Sequence, residues 1–209
     1  MLFRLCDESH SGCPTTVDSL PTRLLDVGTS RSPGLRLVET SKVLISDPRY
    51  LTLSFIWGTA TNFVTLPDNL ASFLVTVPEE SLPKTLADAV TSTRALGMPY
   101  IWIDALCIIQ GPNGDFQRKA AKMEAVFSGA YCDLAASRTS NSWAGFLGPR
   151  PQQKAVTFRS DNMKQNFYVS KCIDAFQGDI IDGGLNSRAW ILQERALARR
   201  TIYFAENQV

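Results

Sequence analysis

An α/β fold with a mostly parallel sheet flanked by helices follows from two features of the sequence. Strand-like and helix-like segments alternate along the chain, the pattern of crossover connections. One of the strand segments, Tyr100–Asp104, is apolar on both faces, as a central parallel strand is.

The stretch up to Pro33 is rich in Ser, Thr, Pro and Gly and reads as a lead-in, residues 1–33, with little core of its own. The remainder, residues 34–209, reads as a single domain. Leu35–Glu39 is a short edge-strand candidate. Tyr50–Ile56 (YLTLSFI) is the first firm strand, mixing β-branched, aromatic and aliphatic residues, and Trp57-Gly58 ends it. A polar segment follows. Pro83–Leu96 places Leu86, Ala89, Val90 and Thr93 on one helical face, with Pro83 suited to the first turn and Gly97 to the stop. Tyr100–Asp104 is the second strand. Asp115 is a candidate N-cap for a helix over Phe116–Ser128, whose stripe is Phe116, Ala120, Met123 and Phe127. Tyr131–Ala136 is a third strand. Ala155–Arg159 and Asn166–Ser170 form a hairpin inserted before a helix over Ser187–Ala198 and a last strand, Thr201–Phe204.

Composition narrows the function. The chain has 209 residues, 44% of them apolar, so it can bury enough surface to fold. Its 21 basic and 20 acidic residues leave a net charge of +1, which gives no support to nucleic-acid binding. Five scattered cysteines do not read as a secreted disulfide framework. No signal peptide and no apolar run long enough to span a membrane is visible. A soluble, cytoplasmic protein is expected, with no membrane partner.

Ligands of parallel α/β sheets sit at the carboxyl ends of the strands. Three groups fall there or beside it. Ser54–Gly58 (SFIWG) brings Ser54, the Trp57 ring and a flexible Gly58 backbone to that edge, although on this fragment alone Trp57 reads first as a core ring before a turn glycine. Asp104 can bind a donor-rich ligand, cap the following loop or pair with an arginine. In Ser187–Arg195 (SRAWILQER), Trp190 and Glu194 share a helix face, flanked by Arg188 and Arg195. That pair suits a glycosidic site, or a core tryptophan with a surface ion pair. Cys6, His10 and Cys13 supply at most three of the four ligands a structural zinc needs, so no metal site is expected. The phosphate-binding patterns GxGxxG and GxxxxGK[ST] are absent. His10 is the sole histidine and lies in the lead-in, which disfavours hydrolases that use an imidazole base.

Seven collinear blocks resemble the fungal heterokaryon incompatibility (HET) domain: Leu20–Gly28, Leu35–Thr40, Tyr50–Gly58, Leu82–Gln110, Lys122–Ser137, Gly145–Arg150 and Ser187–Phe204. The resemblance implies a role in fungal non-self recognition and programmed cell death. The family pattern continues past Val209, so the chain is expected to be an excerpt. HET domains are in turn distantly similar to Toll/interleukin-1 receptor (TIR) domains, which implies a TIR/flavodoxin-like sheet. Several TIR domains cleave NAD+ at the nicotinamide–ribose bond. The resemblance places the catalytic carboxylate at Glu194, with Trp57 or Trp190 stacking on a ring, Arg188 meeting the pyrophosphate and Asp104 orienting a neighbour. NAD+ or a related nucleotide is then substrate rather than cofactor. A protein partner in recognition and homo-oligomerisation on activation are implied as well. The alternative is a non-catalytic oligomerising module that recruits an effector.

Overall fold

The computed structural model describes residues 7–9, 19–29, 32–59, 63–150, 155–159, 166–170, 176–187 and 191–209. Six strands form one mixed sheet: β1 (Arg23–Thr29), β2 (Ser32–Glu39), β3 (Tyr50–Ser54), β4 (Tyr100–Trp102), β5 (Cys132–Ala135) and, last in the chain, β8 (Thr201–Tyr203). Their spatial order is β2-β1-β4-β3-β5-β8. The four strands from β4 to β8 run parallel, and the β1–β2 pair is joined antiparallel to β4. A separate hairpin, β6 (Ala155–Arg159) with β7 (Asn166–Ser170), has the bounds the sequence indicates. The expected α/β class holds.

The parallel strands follow the order second, first, third, fourth, the doubly wound arrangement of flavodoxin-type sheets. Helix α1 spans Pro67–Val75 and α2 spans Lys84–Ala95. A single turn, α3 (Asp104–Cys107), follows β4, and α4 (Phe116–Ala120) and α5 (Met123–Gly129) precede β5. Helix α6 (Ile191–Leu197) leads into β8 and packs against α5. Among the described residues no helix is long and apolar enough to cross a membrane.

Helix α2 buries the predicted stripe of Leu86, Ala89, Val90 and Thr93. Gly97, at φ +68°, turns the chain out of it, a conformation that side chains with a Cβ rarely adopt. On the same helix the Asp88 carboxylate pairs with Lys84 and accepts the backbone N–H groups of Phe146 and Leu147 at 2.7 and 2.9 Å. This anchors the loop that drives Phe146 into the core against Phe204, with ring centroids 4.5 Å apart.

Three expectations need correction. Residues 23–29, expected in a lead-in with little core, form β1, and Leu24, Leu25 and Val27 are fully buried. The segment taken as merely polar contains α1, which buries Phe73; Asn69 Oδ1 accepts the Leu66 N–H at 2.8 Å at its start. The expected helix over Phe116–Ser128 is broken between α4 and α5, so Phe116 leaves the stripe and is exposed while Met123, Val126 and Phe127 stay buried.

Asp115 makes no N-cap hydrogen bond. Its carboxylate instead accepts the Ile109 N–H at 2.9 Å and meets the Arg23 guanidinium at 2.5 Å, with both side chains buried. Burial alone would raise Asp115; the Arg23 and Ile109 donors and the charges of Arg23 and Lys119 outweigh it and hold it below the usual carboxylate range. Arg23 Nε also donates to the Cys107 carbonyl at 2.9 Å. These contacts tie the start of β1 to the loop after β4. Removing one partner strands the other charge in the interior, so Asp115→Ala is expected to cost about 3–5 kcal/mol. The double change Arg23→Leu with Asp115→Leu should recover much of that loss. Urea unfolding midpoints of the three proteins check both statements.

Candidate functional site

Strand register builds the site. Thr52 of β3 lies beside Asp133 of β5, which lies beside Thr201 of β8. One step toward the carboxyl ends, Ser54, Ala135 and Tyr203 are neighbours in the same way. Alternation puts all six side chains on one face of the sheet. Helix α5 covers that face, since Tyr50, two residues before Thr52, donates its hydroxyl to the Val126 carbonyl at 2.7 Å. Helix α6, packed on α5, carries Glu194 to the same place.

The result is two buried carboxyl groups. Asp133 is 2% exposed and Glu194 is 4% exposed. Thr52 Oγ1 donates to Asp133 Oδ1 at 2.8 Å. Ser54 Oγ, buried with no hydrogen bond of standard geometry, also bears on this carboxyl and, like Thr52, favours its charged form. Burial dominates nonetheless. Together with the negative charge of Glu194 it pushes Asp133 up to about 7. Asp133 therefore keeps its proton between about pH 4 and pH 7, where an ordinary aspartate has lost it. The cleft above this row is lined by Ser54, Asp133, Leu185, Asn186, Arg195 and Tyr203, among others. Its free space is about 10 Å3, room for a single water.

A second group lies past the ends of β3 and β4. The Trp57 indole N–H donates to Asp104 at 3.0 Å (Oδ2) and 3.2 Å (Oδ1). Asp104 Oδ1 also accepts the Ala105 N–H at 2.7 Å, so this carboxylate caps the turn of its own α3. Trp57 is half-buried, stacked on Phe55 with centroids 6.3 Å apart. Gly58 has φ +76°, and a Cβ there would stand 2.5 Å from Asn141 Cβ. The Ser142 N–H donates to the Trp57 carbonyl at 3.3 Å, so the loop after β5 closes directly over this turn.

The sequence-derived candidates thus fall into two clusters. Ser54 belongs with Asp133 and Glu194, whereas Trp57, Gly58 and Asp104 form the second cluster. Arg188 and Trp190 lie outside the described residues, as do Cys6, His10 and Cys13. Among the described residues no group of His, Cys, Asp or Glu is placed to hold a metal.

The sequence model of the heterokaryon incompatibility protein family (HET) matches residues 50–194, more than half of the chain. This chain belongs to the HET family. The match opens at the first residue of β3 and closes on Glu194, so it contains the parallel core from β3 to β5 and both carboxyl groups. No curated protein and no solved structure matches the chain.

Asp133 is the site residue that sequence reading passed over. Its signal was present: one acidic residue inside YCDLAA, a segment otherwise fit for a buried strand. A HET-domain carboxyl with this burial leaves a mark on stability. Unfolded, an aspartate titrates near 3.9; folded, Asp133 titrates at about 7. Between those values the folded state holds the extra proton, so stability falls as pH rises from about 4 to about 7. The loss is on the order of a few kcal/mol. Asp133→Asn should flatten this limb, leaving it more stable than wild type at pH 8. Urea midpoints collected from pH 4 to pH 8 provide the check; parallel curves for the two proteins would refute the assignment.

Proposed function

We propose that this HET domain acts in non-self recognition by cleaving NAD+ at the nicotinamide–ribose bond, as TIR domains do, with Glu194 as the working carboxylate. The observation that carries the reading is a buried glutamate on α6, on the same side of a parallel doubly wound sheet as a protonatable aspartate. The likeness to TIR domains supports it by analogy of strand order and of glutamate position.

The chemistry asks little of the protein. The bond between C1′ and the pyridinium nitrogen breaks, and its electron pair neutralises the nicotinamide, so no general acid is required. Positive charge develops on the ribose, and a carboxylate in a dry site stabilises it as in glycoside hydrolysis. Water adds at C1′ and loses a proton, which gives ADP-ribose. Glu194 faces the developing charge and holds the ribose hydroxyls. Asp133 keeps the proton of the pair, since two neighbouring buried carboxyls do not both ionise readily, and Glu194 thereby stays anionic. Trp57, fixed through Asp104, offers a ring face; Arg188 and Trp190 are assigned to the pyrophosphate and to stacking.

A cleft with room for one water admits no dinucleotide. The segment 177–187, which supplies Leu185 and Asn186, must therefore move away from α6 before substrate enters. Homo-oligomerisation is proposed as the event that opens it. The experiment is nicotinamide release from NAD+ by wild type and by wild type fused to an oligomerising domain, each beside Glu194→Gln. The tethered wild type should release nicotinamide, and Glu194→Gln should be slower by about 10²–10³-fold. Equal turnover by the variant would remove Glu194 from the mechanism.

One observation favours the non-catalytic reading, a module that assembles with copies of itself and recruits an effector. Val156, Phe158, Phe167 and Val169 share one face of the β6–β7 hairpin, and each is about half exposed. A two-stranded hairpin with an uncovered apolar face is marginal alone and gains by association. On that reading no wild-type form releases nicotinamide. Phe158→Ser combined with Phe167→Ser would abolish concentration-dependent assembly in sedimentation while the circular dichroism spectrum stays native.

A further inference from the structure

A larger cavity, of about 160 Å3, lies between the approach to β1 and the α4–α5 pair. Because β1 runs antiparallel to β4, residues 19–23 arrive beside the carboxyl end of β4, the end at which ligands of such sheets gather. Trp102 stands in the same cross-strand row as Thr52 and Asp133, two strand spacings or roughly 10 Å from the latter. The cavity is open to solvent, and neither the carboxyl pair nor the Trp57 cluster contributes to its lining.

Its walls differ in kind. Leu20, Trp102 and Val126 supply an apolar floor, and Trp102 is held edge-on to Phe127 with centroids 5.9 Å apart. Lys119 and Lys122 supply the rim. Arg23, also at the wall, is committed to Asp115 and to the Cys107 carbonyl. Lys119 Nζ donates to Thr22 Oγ1 at 2.6 Å and stands 3.8 Å from Asp115, beyond hydrogen-bond reach. An ammonium has three donors, so two remain for a ligand. One carboxylate, Asp115, thus serves both Arg23 and Lys119, and with Lys122 also in the lining the cavity is left with positive charge. Burial, opposed by Asp115 and reinforced by the like charges of Arg23, Lys122 and Arg118, lowers the Lys119 pKa.

We infer that this cavity binds a small organic anion: a flat, ring-sized body against Trp102 with one carboxylate on Lys119. The size fits, since an apolar cavity of about 150 Å3 takes up benzene. The ring replaces solvent on an apolar floor, and the carboxylate meets a partly desolvated ammonium that lacks a full partner. The inference is independent of the NAD+ reading and uses none of its residues.

The test follows the Trp102 indole N–H by NMR in the full chain during titration with benzoate, with neutral benzamide or with inorganic phosphate. Benzoate should shift the signal saturably at millimolar concentration, and benzamide and phosphate should each bind at least about threefold more weakly. Lys119→Met should weaken benzoate about three- to fivefold, the scale of a partly exposed ion pair. Ala125→Phe, at an exposed lining position, should fill the space and abolish the shift. Four outcomes overturn the proposal: benzamide binding as tightly as benzoate, phosphate matching benzoate, an unchanged affinity in Lys119→Met, or no saturable shift up to about 50 mM benzoate.

Discussion

The structure depends on one constraint, the parallel pairing of β3 with the next two strands, β4 on one side and β5 on the other. Parallel neighbours cannot be joined by a tight turn, so each connection must cross over a face of the sheet. Because β4 lies on one side of β3 and β5 on the other, right-handed crossovers carry α2 to one face and α5 and α6 to the opposite one. Both faces are then covered, which explains why β3 is buried at every position. The same fork leaves a crevice at the carboxyl ends of β3, β4 and β5, where Ser54, Trp57, Asp104 and Ser137 are found.

Within that frame two of the buried aspartates, Asp115 and Asp133, are compensated differently. Asp115 keeps its charge because Arg23 comes from another strand to meet it. Asp133 meets hydroxyls and a second acid instead, so its cheapest state is the protonated one. The first arrangement welds β1 and the loop after β4 together. The second stores a proton beside Glu194. A buried acid with an ion-pair partner and one without are alike in sequence; what separates them is whether the interior supplies an opposite charge.

Legibility varied in a physically consistent way. Helix α2, the hairpin and the strands from β3 to β8 were readable because periodicity and turn residues are local. Helix α1 escaped although Leu70, Phe73 and Leu74 share one face, because a stripe this short, between polar and turn residues, is a weak periodic signal. The strand β1 escaped because Ser, Pro and Gly around it masked a short apolar run, Leu24, Leu25 and Val27. The break between α4 and α5 carries neither glycine nor proline, and nothing in the local sequence marks it.

The sequence by itself determined the fold class, the position of most elements and, through residues 50–194, membership of the HET family. It also placed Glu194 on a helix ahead of the last strand. Only the tertiary structure decided that the charge of Glu194 reaches Asp133, that Arg23 belongs to Asp115, and that Asp104 holds Trp57 rather than an open ligand. Each of these pairs joins segments far apart in the chain. Hydrophobic periodicity is set by neighbours a few residues away, whereas the partner of a buried charge is chosen by strand order and register, which exist only once the sheet has closed.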